Sequence, residues 1–290
     1  MAQTPPLEQG FAVLGPRRPR YPVILSVPHA GRDYPRELLE RTRVGASRLK
    51  ALEDRYVDKL VTPLAQRGFR VFIATRARAW IDLNRSEREI DPEMIHPRPA
   101  LKAIDHSAKV RGGLGLVPRR LAREGNIYAA PLPAAELSAR IGAVHRPYHA
   151  ALSDALDQAR RQFGTAVLLD CHSMPPLRRA SGPAPDIVLG DSNGASAAPA
   201  FVTCAADTAR AMAFHVAIND PYSGGHILAR HGRPELGIHA LQLELCRSLY
   251  LDFSLEEPGP RFAETAALVE ALAEKLADEA QAGPDSLAAE

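Results

Sequence analysis

The sequence predicts an α/β protein, a single three-layer domain in which a mixed, largely parallel sheet is flanked by helices. Short apolar runs alternate along the chain with longer stretches in which apolar residues recur every three or four positions, the pattern of strands separated by crossover helices. Several runs are apolar throughout, as strands covered on both faces are; a strand open to water on one side would alternate. The 290 residues, 46% of them hydrophobic, suffice for a substantial buried core.

In chain order the strand candidates are YPVILSVP (21–28), FRVFIAT (69–75), TAVLLDC (165–171), DIVLGD (186–191), HVAIND (215–220) and IHALQLEL (238–245). Helical periodicity is clearest over 47–66, 134–162, 196–213 and 262–282, each rich in Ala, Leu, Arg and Glu. Between them, 86–130 carries Pro, Gly and charge with little periodicity and reads as a long excursion able to cover a pocket. One domain is expected over 1–283, followed by a flexible tail at 284–290.

Charge and cysteine content exclude several classes. Lys and Arg number 36 against 34 Asp and Glu, a formal charge of +2, which provides no electrostatic reason to expect nucleic acid or an anionic membrane as partner. Three cysteines without CxxC spacing suggest neither a disulfide framework nor a cysteine metal site, and a reducing cytoplasm fits them best. The start MAQTPPLEQG has no basic and apolar signal segment, and no later stretch is apolar for long enough to span a bilayer. A small neutral or anionic molecule is the expected partner; nothing in the sequence speaks to oligomeric state.

In a sheet of this kind, functional groups collect beyond the carboxyl ends of the strands. His29 follows the first apolar run, His172 follows AVLLDC, and Asn219–Asp220 follow HVAI. A catalytic zinc needs three side-chain ligands and an open position, and His29, Asp54 and His172 can supply imidazole and carboxylate. Spacing alone is weak support, because a single strand-end histidine serves equally well as a turn cap. In DLNR (82–85), Asn84 and Arg85 place an amide beside a guanidinium suited to a substrate carboxylate, although an ion pair from Arg85 to Glu87 or Glu89 would explain it too. Glu244 shares one face of HALQLELCR with Gln242. It can act as a general base, or be the buried partner of Arg247.

The run YSGGHILARHGRP (222–234) concentrates Gly224, Gly225, His226, Arg230 and His231 and reads as a mobile loop able to carry substrate contacts. His145 and His149 share a helix face without the HExxH glutamate, which favours a structural role. Serine chemistry at Ser173 or Ser26 lacks a GxSxG elbow, and Cys171 and Cys246 lie in apolar runs as inert thiols.

SVPHAG, EDRYVDKL, WIDLNR, YHAALSDAL, LLDCHS, LGDSNGAS and GIHALQLELCRSLY occur in that order, and together they resemble the N-formylglutamate amidohydrolase family from about residue 21 to about residue 252. The resemblance implies a zinc carboxypeptidase-like fold, one Zn2+, and hydrolysis of N-formyl-L-glutamate to glutamate and formate in histidine breakdown. It implies that His29, Asp54 and His172 hold the zinc, with Glu53 and Asp58 as alternatives to Asp54. Glu244 is then the general base and Arg85 a second catalytic group. Asn84 and Arg85 grip the substrate carboxylate, and Arg230 and His231 face the same pocket. The Arg- and Pro-rich segment after DLNR and the loop GGHILARHGRP depart from the expected pattern and leave another N-acyl amino acid open as substrate. The rivals are a non-catalytic binder of an acidic small molecule and a zinc carboxypeptidase acting on peptides.

Overall fold

A computed structural model describes residues 9–100, 102, 104–122, 124–178 and 182–282, so the 284–290 tail lies outside the described residues. Within these the chain forms two compact units. One comprises 9–12, 28–53 and 73–151, the other 13–27, 54–72 and 152–282.

A seven-stranded sheet dominates the second unit. Its strands are β1 (Phe11–Leu14), β2 (Val23–Val27), β3 (Arg70–Ala74), β4 (Ala166–Met174), β5 (Ile187–Gly190), β6 (Val216–Ile218) and β7 (Ile238–Cys246), in the order β1-β3-β2-β4-β7-β5-β6. The chain runs on into the first unit at the ends of β1 and β3. β2 with β4, β4 with β7, and β5 with β6 pair in parallel, while β7 with β5 is antiparallel, so the sheet is mixed and mostly parallel. All nine residues of β4 and all nine of β7 are buried, the polar Asp170, His172, Gln242 and Glu244 included. Six of the strands fall on the six apolar runs. FAVL, at four residues, is too short to register as a run.

Helices cover the sheet. α1 (Val57–Arg67), α2 (Arg146–Phe163), α3 (Pro199–Ala211), α4 (His226–His231) and α5 (Phe262–Ala282) are the main ones. α5 buries Leu268, Val269, Leu272, Ala273, Leu276 and Ala277 at helical spacing and packs on α1, α3, β2 and β4. Truncating Leu272 to Ala would cost about 2–5 kcal/mol in transfer and cavity energy. α4 packs on β4 and β7.

Two expectations change. The helix expected over 47–66 is broken: Ala46–Leu49 and a 3-10 turn at Lys50–Leu52 stop at Glu53, and α1 begins only at Val57 because Tyr56 takes a left-handed φ of 60°. Arg55 fixes the break by donating to the Glu256 carbonyl at 2.9 and 2.7 Å, and the Tyr56 hydroxyl donates to Glu257 at 2.7 Å. The stretch 222–234 contains α4, where a loop was expected. Ile227 and Leu228 are buried on one side of it, and Gly225 and Gly232 flank it.

In the first unit the 86–130 excursion is largely irregular but packed. Ile95–His96 pairs with Leu132–Pro133, and Arg120–Leu121 with Gly125–Asn126. Met94, Ile104, Val110, Leu116 and Val117 are buried within it. Among the described residues no helix is long and apolar enough to cross a membrane.

Candidate metal centre

The carboxyl end of β4 carries Asp170 and His172 two residues apart, and alternation puts both side chains on one face. Parallel pairing sets Glu244 of β7 directly beside His172, on the same face as Gln242, whose amide donates to Glu244 Oε1 at 3.0 Å. Asp54, in the break before α1, brings Oδ2 to 3.0 Å from His172 Nδ1. The other ring nitrogen, Nε2, lies 2.8 Å from Asp170 Oδ2, and Asp170 Oδ1 accepts the Ser26 hydroxyl at 2.6 Å. His172, Asp54, Asp170 and Ser26 are all buried.

The electrostatics suit a cation. Burial disfavours protonated His172, yet the carboxylates of Asp170, Asp54 and Glu244 outweigh it and hold the imidazole well above its ordinary range. With Nε2–H given to Asp170, Nδ1 faces Asp54 Oδ2, and two lone pairs at that separation repel unless a proton or a metal ion lies between them. A buried imidazole and carboxylate converging in this way, with the second ring nitrogen tied to another carboxylate, can hold either a proton or a metal ion between them. Of the three acids considered for the ligand, Glu53 accepts the Tyr34 hydroxyl, Asp58 lies in the first turn of α1, and Asp54 meets His172.

His29 follows two residues after the end of β2. β2 itself is a parallel neighbour of β4 in the second unit. Within the first unit His29 Nε2 lies 2.7 Å from Asp82 Oδ1. Asp82 is fully buried, accepts from Arg78 Nε at 2.8 Å and from the Asn84 backbone N–H at 2.9 Å, and has Arg85 Nη2 at 3.9 Å. Burial works against its charge, but Arg78, His29 and Arg85 hold it well below the usual carboxylate range. Nearby, Gly31 must be glycine because a Cβ there would fall 2.0 Å from the Arg76 carbonyl oxygen. Each of the two histidines thus has Nε2 against a buried aspartate, His29 on Asp82 and His172 on Asp170.

The DLNR turn is held from behind. His145 Nε2 and His149 Nε2 donate to the carbonyls of Arg85 and Leu83 at 2.8 and 3.0 Å. Arg85 is buried, its Nε donating to the Leu114 carbonyl at 2.8 Å and its Nη1 to the Asn84 carbonyl at 2.6 Å. Arg230 is exposed near the end of α4. His231 beside it is buried, which, with the cations of Arg230, His226 and Arg233, pushes its pKa down to about 3.

Sequence reasoning gave no role to Asp82 or Asp170, and considered Ser26 only as a nucleophile. Asp170 carried a readable signal, since an acid two positions before a strand histidine shares its face. Ser26 carried none, because its partner comes from strand register.

The N-formylglutamate amidohydrolase family model matches residues 21–251. The chain belongs to that family. The matched span runs from just before β2 to just after β7 and contains every site residue named above. Among its relatives, the N-formylglutamate deformylase of Pseudomonas aeruginosa is 31% identical over 271 residues, 89% of this chain and 91% of that one. The deformylase of Pseudomonas putida is 32% identical over 250 residues, covering 83% and 85%. The crystal structure of N-formylglutamate amidohydrolase from Ralstonia eutropha JMP134 superposes with a TM-score of 0.85 at 31% identity, over 96% of this chain and 99% of that one.

Proposed function

We propose that this protein hydrolyses N-formyl-L-glutamate to L-glutamate and formate, with one zinc ion held by His29, Asp54 and His172. The observation that carries the reading is the placement of Glu244 beside His172 on adjacent strands, with Asp54 on the imidazole's other side. The names of the relatives, N-formylglutamate deformylases, support the substrate. Imidazole and carboxylate are the usual ligands of a hydrolytic zinc, which when bound polarises the carbonyl and makes water acidic enough to attack near neutral pH.

Glu244 takes a proton from the attacking water and returns it to the leaving nitrogen. One water is consumed, the formyl C–N bond breaks, and formate and the amino group of glutamate are released. Gln242 donates to Oε1 of Glu244 and so fixes the carboxylate's orientation. Arg85 and Asn84 receive a substrate carboxylate and orient the formyl group, with Arg230 and His231 as further substrate contacts. The cysteines described as free, Cys171, Cys204 and Cys246, fit a cytoplasmic enzyme of histidine breakdown.

The test is formate release from a panel of N-formyl and N-acetyl amino acids with added zinc. N-formylglutamate is expected to be the preferred substrate. Peptide cleavage without formate release would favour a carboxypeptidase, and a zinc content far below one per chain would favour a binding protein.

A further inference from the structure

Asp54 turns its two oxygens to different neighbours. Oδ2 lies 3.0 Å from His172 Nδ1. Oδ1 accepts the Ser173 hydroxyl at 3.1 Å and is 3.4 Å from Arg247 Nη2. Arg247 Nε donates to the Ser173 oxygen at 3.1 Å, so the three side chains close a triangle. Its hydrogen bonds are ordered: Arg247 donates to the Ser173 oxygen, and the Ser173 hydroxyl donates to Asp54. The guanidinium addresses both partners from one edge of a rigid plane, which a lysine cannot do.

The chain makes such a device necessary. Asp54 sits between a 3-10 turn and α1, so no regular helix sets its rotamer. Ser173 is the residue after His172 in β4, and Arg247 begins the short helix Arg247–Tyr250 directly after β7, three positions past Glu244. The ligand-bearing break is thus tied to the strand of the histidine and the strand of the base.

We infer that Arg247 and Ser173 are positioning residues that lock Asp54 so that Oδ2 alone is presented beside His172, an inference that rests on Asp54 being a metal ligand. They act on metal affinity through Asp54 and do not bind substrate.

The experiment is zinc titration of the purified full-length protein against a chromophoric chelator, for the wild type, Arg247→Ala, Arg247→Lys and Ser173→Ala, with KM for N-formylglutamate measured at saturating zinc. Arg247→Ala and Arg247→Lys should each weaken zinc binding about 10–100-fold, the usual effect of removing a ligand's outer partner. Ser173→Ala should weaken it less, and KM should stay at the wild-type value throughout. A purely architectural role would lower the melting temperature and leave zinc affinity untouched, which would overturn the inference. So would a raised KM with unchanged zinc affinity, since Arg247 would then be a substrate contact. Should Arg247→Ala fail to fold, the Lys and Ser173→Ala variants decide. A wild-type protein that binds no zinc removes the metal reading as well, whereas normal binding in the wild type and in every variant removes only this inference.

Discussion

Asp170 lies two residues before His172 on the same face of β4, and its Oδ2 is 2.8 Å from His172 Nε2. Ser26 of the neighbouring strand donates to the other oxygen of the same carboxylate. The imidazole is therefore oriented from within the sheet, and the partner that orients it is oriented in turn. Asp170→Asn should leave the protein folded and reduce zinc affinity about 10–100-fold. Equilibrium dialysis of the variant with zinc checks this, and wild-type affinity would remove Asp170 from the site.

Glu244 separates turnover from metal binding. Glu244→Gln keeps the shape and the Gln242 contact but cannot accept a proton, so turnover should fall by a factor of about 10²–10⁴ with zinc content retained. His172→Ala should lose both zinc and activity. Formate release and metal analysis on the same samples decide, and an active Glu244→Gln enzyme would exclude this residue as the base.

Arg85→Ala should act on two quantities. As a carboxylate clamp its loss raises KM for an acidic substrate with a smaller effect on turnover. Its guanidinium also holds the carbonyls of Leu114 and Asn84, so stability should drop by about 1–3 kcal/mol. Kinetics and urea unfolding measure the two effects separately, and an unchanged KM would show that Arg85 only shapes the turn.

His231 predicts a pH dependence. Its pKa is lowered from 6.5 to about 3 in the fold, first by burial, so the unfolded chain binds the extra proton between those limits. The contribution to stability is complete above pH 6.5 and is lost as pH falls towards 3, at up to about 1.4 kcal/mol per pH unit. Urea unfolding of wild type and His231→Gln at pH 7 and pH 5 should show a shallower loss in the variant. Equal slopes would mean that the imidazole is protonated in the fold.

The sheet was legible because burial on both faces writes itself as continuous apolar sequence, as in AVLL of β4, and because the leucines of HALQLEL recur at every second position. The helix break at 53–56 was not, because the left-handed Tyr56 is held by Arg55 and Tyr56 contacts to Glu256 and Glu257, some two hundred residues away. For the same reason Asp54 could not be separated from Glu53 and Asp58 by spacing. α4 was hidden by the glycines and proline flanking HILARH, although Ile227 and Leu228 anchor it. His172 and Glu244 stood out individually, while their adjacency depends on strand register, which no local pattern encodes.

If Glu244 is the base, that adjacency makes activity sensitive to strand pairing. Glu244 lies opposite His172 on one neighbour and Val188 on the other. A slip of β7 by one residue would turn Glu244 and Gln242 to the opposite face and put leucines in their place. Such a molecule would keep much of its helix and strand content, and circular dichroism would pass it as native. On the proposed mechanism, low specific activity in a refolded, fully metallated sample with native circular dichroism would be the mark of chains paired out of register.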